Sequence, residues 1–304
     1  TTLVGPDLVK GTRMITMSAA GSEVRDMSLS GCTNQVENGV VVRMTSGWLE
    51  NVRIHHNYEG YYGINNGLYP GLGISMTGGT VTNCLVDSNR CPNGYGGMAG
   101  IGISISGGLV VDSVIRDNGR PSGESRAMGV QMTGGTLRRC VISGNTTDGT
   151  GDKDDRCHGV GLGVEGGSPL IENCAIVSNG HSAVTLGNGT MRNCLVTGHK
   201  ASRANLPAGV NATDGSGKLI NCTLAGNTNT ASETRVDLRM TAGTAKNTIK
   251  AAASYKDEKG DTVETDEVIP ATEEKSTETV DTTLTLGKEY KAAYRKGENG
   301  WTEL

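Results

Sequence analysis

Three stretches of this chain gather side chains able to do chemistry. Asp148 and the run Asp152-Lys153-Asp154-Asp155-Arg156-Cys157-His158-Gly159 place four carboxylates and an imidazole in one short segment. Clustered carboxylate oxygens are what calcium selects, so Asp148, Asp152, Asp154 and Asp155 form a candidate calcium site; a solvated acidic loop is the preferred reading, and no cofactor is expected. His55-His56 could act as an acid/base pair. Their position beside Asn57 in a turn favours an exposed structural role. The segment from His55 to Gly73 also carries Tyr58, Tyr61, Tyr62 and Tyr69, half of the eight tyrosines, and Tyr95 occupies the corresponding stretch one repeat later. Flat amphipathic rings along one edge suit sugar rings or another protein. Merely covering the side of the fold is an equal alternative.

A repeat of the form T-V-x-N-C-L-V positions these stretches. Core copies run over 80–86, 109–115, 136–142, 170–176, 190–196 and 218–224, with looser copies at 23–29, 48–54 and 244–250. One column is apolar throughout: Val24, Leu49, Val81, Val110, Leu137, Ile171, Met191, Leu219 and Ala245. The next prefers water. Then come Asp26, Asn51, Asn83, Asp112, Arg139, Asn173, Asn193, Asn221 and Asn247, mostly residues that tolerate left-handed backbone, so the strand bends there. The following column holds Cys84, Cys140, Cys174, Cys194 and Cys222, and aliphatic residues resume the period of two that a strand requires.

A second strand precedes each copy, separated by a turn such as Gly78-Gly79 or Gly107-Gly108. Its inward residues include Ile74 and Met76, Ile103 and Ile105, Val130 and Met132; the outward row is Thr16, Arg43, Ser75, Ser104, Gln131, Gly163, Thr185, Asn211 and Arg239. A third turn carries Asn57, Asn89, Asn118, Asn145, Asn179 and Asn227 at a fixed offset. Successive bend residues are separated by 25, 32, 29, 27, 34, 20, 28 and 26 positions. About twenty residues therefore make one bare turn of a solenoid, and the surplus sits in loops.

Composition narrows the partners. A net charge of −4 supplies no basic field for nucleic acid, and no segment reaches the apolar length of a membrane span. The five column cysteines read as reduced core residues, whereas Cys32, Cys91 and Cys157 fall in turns or loops where they could pair or stay free. Thr1 in place of Met is read as the loss of a signal peptide or other upstream segment, which makes a secreted, extracellular or cell-surface protein the expectation.

The repeated G-G-T-V-x-N-C-x-I-x-x-N coil resembles the right-handed parallel β-helix of the pectate-lyase-like superfamily, particularly secreted bacterial β-helix repeat proteins, over roughly residues 10 to 250. The resemblance implies an all-β solenoid of about nine coils over 1–252, followed by a short non-repeating segment, 253–304, read as a linker plus strands or a hairpin that caps the last coil or donates a strand to a neighbour. It also directs attention to the outward row of the first strand, where β-helix polysaccharide lyases and hydrolases work. That row lacks both the facing carboxylates of glycoside hydrolysis and a lyase base beside a substrate-neutralising group. Asp154-Asp155 and His158-Gly159 are similar to the Asp-Asp and His-Gly of polygalacturonases, but in that family these come from different coils, and its Asn-Thr-Asp and Arg-Ile-Lys elements are missing here, so the catalytic roles are not carried over. The expected function is an extracellular structural protein, a subunit of a surface fibre or adhesin stalk that self-associates head to tail. The alternative is a carbohydrate-active β-helix, a polysaccharide lyase, hydrolase or sugar-binding protein, with its groove between the His/Tyr and Asp148–His158 loops.

Overall fold

A computed structural model describes residues 1–4, 7–8, 13–34, 40–59, 72–90, 101–120, 129–147, 160–201, 207–213, 215–230, 237–250, 253–256, 262–265, 294–297 and 300–303. The chain forms two compact units, Thr1–Pro270 and Ala271–Leu304. In the second, Tyr294–Gly297 pairs antiparallel with Gly300–Glu303, closing between Gly297 and Gly300. The first is a parallel β-solenoid whose described residues contain no helix.

Three strand ladders build its walls, and short parallel pairs such as Thr33–Asn34 with Tyr58–Glu59 follow the corner. The first stacks Ile15–Met17, Val42–Met44, Ile74–Met76, Ile103–Ile105, Val130–Met132, Leu162–Val164, Val184–Leu186, Val210–Ala212 and Leu238–Met240 in parallel register. Ala253–Lys256 adds one more parallel strand, and Thr262–Thr265 then pairs with it antiparallel. The second and third ladders share one sheet. In the early coils they are halves of one bent strand, Glu23–Ser30 and Trp48–His55; later they separate, as in Thr80–Thr82 and Leu85–Asp87. Equivalent columns of the repeat fall on one another: Val81 opposes Leu49 and Val110, and Val86 opposes Ile54 and Ile115. Each rung lies about 4.8 Å from the next, so a column of like side chains becomes a continuous row inside.

The expected bend is real. All nine residues from Asp26 to Asn247 in that column have positive φ, between 46° and 55°. Arg139 shares it although it is neither Asn nor Asp; its guanidinium is held bidentately by Asp112, the bend residue one coil earlier, at 2.7 and 2.6 Å. At the glycine turn the second glycine is obligatory: Gly79 has φ of 83°, and a Cβ there would stand 2.8 Å from the Gly47 carbonyl oxygen. Past the bend, Cys84, Cys140, Cys174, Cys194 and Cys222 are buried free thiols. Each lies 3.2–3.4 Å from the carbonyl oxygen two residues earlier. Burial raises the Cys84 thiol pKa to about 11, so it stays protonated and behaves as a small apolar group.

The third corner is closed by a chain of side-chain hydrogen bonds. Asn57, Asn89, Asn118, Asn145, Asn179 and Asn227 are all buried. The Asn118 side chain donates from Nδ2 to the Val86 carbonyl of the preceding coil at 2.9 Å and to Asn145 Oδ1 of the next at 3.1 Å, while its backbone N–H donates to the same Oδ1. Asn89 and Asn145 repeat this arrangement. Gly129 lies against the stack, where a Cβ would stand 2.8 Å from Asn145 Nδ2. Two ladder members differ from the expected Asn. Cys32, expected in a turn or loop and free to pair, is fully buried as a free thiol, its N–H donating to Asn57 Oδ1; it is the first rung. His199 takes the slot between Asn179 and Asn227, accepting the Asn179 N–H at Nδ1 and lying 2.9 Å from the Ile176 carbonyl through Nε2. This pattern requires the neutral, Nε2-protonated tautomer.

Asn145→Ala leaves the buried Asn118 N–H without an acceptor and removes the Asn179 and Ile115 contacts, so it should cost about 4 kcal/mol by urea unfolding, at roughly 1–3 kcal/mol per orphaned group. Asn173→Gly, at an exposed bend with φ of 55°, should change stability by less than about 1 kcal/mol. Burial of His199 lowers its pKa from the ordinary value, so the unfolded chain binds the proton first. Stability should therefore decline as pH falls below about 6.5, by up to ~1.4 kcal/mol per pH unit. His199→Asn should reduce that slope in urea titrations between pH 7.5 and 5.

Candidate functional site

Most of the residues singled out for chemistry, namely Tyr61, Tyr62, Tyr69, Tyr95, Asp148, Asp152, Asp154 and Asp155, lie outside the described residues, as do Cys91, Cys157 and His158. The others come from the first coils. Tyr58 opens the short strand Tyr58–Glu59, pairs with Thr33 and is exposed. His55 ends the strand Trp48–His55 half-buried, and His56 follows with φ of 50° on the exposed side.

The fold connects these histidines to a serine that no motif or spacing singled out. Ser28, one coil earlier in Glu23–Ser30, is the register partner of Arg53, and its Oγ lies 2.7 Å from His55 Nε2. His55 Nδ1 is 2.7 Å from His56 Nδ1, and the two rings meet edge to face with centroids 5.0 Å apart. A hydrogen bond at this distance needs one Nδ1 to donate and the other to accept. On the next coil Asp87, the register partner of His55, is held by Arg53 at 2.9 and 2.8 Å. Burial holds the His55 pKa below its ordinary value, with Arg53 adding to this and Asp87 opposing it. Ser28 and Arg53 also line an open groove of about 440 Å³ beside the bend, with Thr1, Thr2, Asn51 and Asn83 on its walls.

The outward row of the first strand is less open than its pattern predicts. Thr16 and Arg43 are exposed and Ser75 and Ser104 half-buried, but Gln131, Gly163 and Asn211 are buried. The Gln131 amide donates to Glu165 at 3.1 Å. Thr185 and Asn211 face each other on adjacent rungs, and Thr185 Oγ1 and Asn211 Oδ1 are buried with no hydrogen-bond partner. Buried polar atoms seldom lack partners, so this pair marks a place where a hydroxyl or amide donor would be accepted.

Elsewhere on the outer surface, charges cross-link the coils. Glu172, nearly fully buried, sits between Arg138 of the preceding coil and Arg192 of the next, with Arg192 Nε at 2.7 Å. Burial raises the Glu172 pKa, but Arg192 and then Arg138 outweigh it and hold the carboxyl below its ordinary value. Asn51 bonds Asp26 in the same way across one coil, at 2.6 Å. No group of three or more His, Cys, Asp or Glu among the described residues is arranged to hold a metal ion. A depressed carboxylate pKa stabilises the fold above the unfolded value and loses this as pH falls through the folded one. Replacing Glu172 with Gln should therefore flatten the decline of the urea midpoint below about pH 4.3, and 0.5 M salt should weaken the wild-type contribution because both arginines are partly exposed.

The family model described as right handed beta helix region matches residues 13–229. No curated protein and no solved structure shows significant similarity to the chain. The matched residues span the ladders from the first strand of the stack to the last rungs of the corner, and the chain belongs to the right-handed β-helix family.

Proposed function

We propose that this chain is a rigid structural shaft, the subunit of an extracellular fibre or adhesin stalk. The observation that supports the reading is that interior and exterior side chains alike are arranged to join coil to coil. Inside, the buried corner ladder runs from Cys32 to Asn227; outside, Arg53–Asp87, Arg139–Asp112 and Arg138–Glu172–Arg192 each bridge successive coils. Such a stack resists bending because successive rungs are tied by the corner ladder and, at several coils, by charge pairs as well. Head-to-tail contact of a solenoid that does not close generates a filament. Negative-stain electron microscopy and light scattering of the full chain across a concentration series test this. Filaments that lengthen with concentration are expected; discrete particles throughout would overturn the fibre.

A second reading, sugar binding along the first-strand face, is favoured by the unpartnered Thr185 Oγ1 and Asn211 Oδ1. A polyhydroxylated ligand offers hydroxyl donors to such acceptors. Binding on a glycan array that drops at least about tenfold in Asn211→Ala, about 1.4 kcal/mol, is the expected result. Binding unchanged by that substitution would exclude this face.

A further inference from the structure

From the Ser28–His55–His56 cluster we infer that the first coils carry an acyl-transfer site, in which Ser28 is the nucleophile and His55 its general base, acting on small acyl esters of polar alcohols. The reading goes beyond the shaft and does not depend on it.

Nucleophilic catalysis by serine needs a base within hydrogen-bond reach of the hydroxyl and a third group that orients the base. Both contacts are present at 2.7 Å. When the Ser28 hydroxyl donates to His55 Nε2, His55 must carry its own proton on Nδ1, which it donates to His56 Nδ1. The string then has one consistent set of tautomers: Nδ1–H on His55 and Nε2–H on His56. Register enforces it. Ser28 stands opposite Arg53 and Ser30 opposite His55, so the His55 ring reaches Ser28 diagonally, and the left-handed backbone at His56 turns the second ring back onto the first. Asp87, directly opposite His55 on the following coil, favours the imidazolium that forms when the serine proton is taken. His56 is a positioning residue.

The groove beside Ser28 selects the substrate. Its walls mix polar Thr1, Thr2, Asp26, Asn51 and Asn83 with apolar Met27, Val52 and Leu85, and the half-exposed Arg53 guanidinium stands at one side. Such walls suit a short acyl group against the apolar residues and a hydroxylated alcohol against the amides and hydroxyls. In the first half-reaction Ser28 Oγ bonds to the acyl carbon, its proton passes to His55 Nε2, and the ester C–O bond breaks as that proton is delivered to the departing alcohol. In the second, His55 takes a proton from water, the resulting oxygen attacks the acyl-serine, and the acid leaves while Ser28 recovers its proton.

Incubating the full chain with a fluorophosphonate probe and mapping the adduct by mass spectrometry tests the site, with p-nitrophenyl acetate turnover as a second measure. Labelling of Ser28 is expected. It should persist in Ser30→Ala, vanish in Ser28→Ala, and slow by at least about 100-fold in His55→Gln, which keeps a polar partner but cannot serve as the base. Circular dichroism and melting of each variant should match the wild type. His56→Ala should shift the pH midpoint of labelling. An unmodified Ser28, equal labelling of Ser28 and Ser30, a wild-type rate in His55→Gln, or a pH profile unmoved by His56→Ala would overturn the proposal. Fibre assembly is scored separately, so failure here leaves that reading untouched.

Discussion

Everything in this solenoid depends on satisfying the backbone at the corner where each coil turns away from its third strand. Within the strands, the parallel ladders pair N–H and C=O groups automatically. At the corner the chain is neither helix nor strand, yet it is buried, and an orphaned amide there costs about as much as a lost hydrogen bond. An Asn side chain has both a donor and an acceptor, and at this position it reaches the carbonyl of one coil and the amide of another. Asn118 does this with bonds of 2.9 and 3.1 Å. Because each rung supplies the acceptor for its predecessor, the corner is a cooperative chain in which no rung is independent of its neighbours.

His199 shows what this constraint selects for. Its ring nitrogens reproduce the amide's pairing of one acceptor and one donor, so the backbone of Asn179 and Ile176 meets the same chemistry it would meet from Asn. The substitution introduces a titratable group into a stack that otherwise has none between Cys32 and Asn227. Asp237 extends the stack by accepting the Asn227 backbone N–H at 3.0 Å. The same logic explains the outer surface: a column shared by successive coils places like groups one rung apart, and alternating Arg with Asp or Glu turns a repulsive row into cross-links.

Much of the fold was legible because its columns are chemically monotonous. The bend residues, glycine turns, apolar rows and most of the corner asparagines are all visible as residue types at fixed offsets. A second set of left-handed residues, Gly31, His56, Ser88, Asp117, Gly144, Ser178, Gly198 and Gly226, immediately precedes the corner stack and escaped notice because its members share a backbone angle rather than a side chain. His199 and Cys32 were hidden for the converse reason, their slot being filled by an unexpected type. The Ser28–His55 contact could not be read at all. It joins residues 27 positions apart on a diagonal, and that diagonal exists only once the register between two coils is known. Conversely, burial of Gln131 and Asn211 contradicts a strand pattern that reads as plainly outward, because alternation reports which way a side chain points and not what lies over it.

The interval between bend and corner residue is six in every coil from Asp26–Cys32 to Asn221–Asn227, while the stretch from the corner to the following first strand differs from coil to coil. A residue inserted between Asn83 and Asn89 would push one rung of the stack out of reach of both neighbours, whereas one inserted after Asn89 would disturb neither. The molecule therefore combines a part fixed in spacing with a part free in length. The stack accepts exchange of near-isosteres, as with His for Asn, and the stretch after each corner accepts changes of length, so a foreign peptide grafted there would leave the pitch of the rungs unaltered.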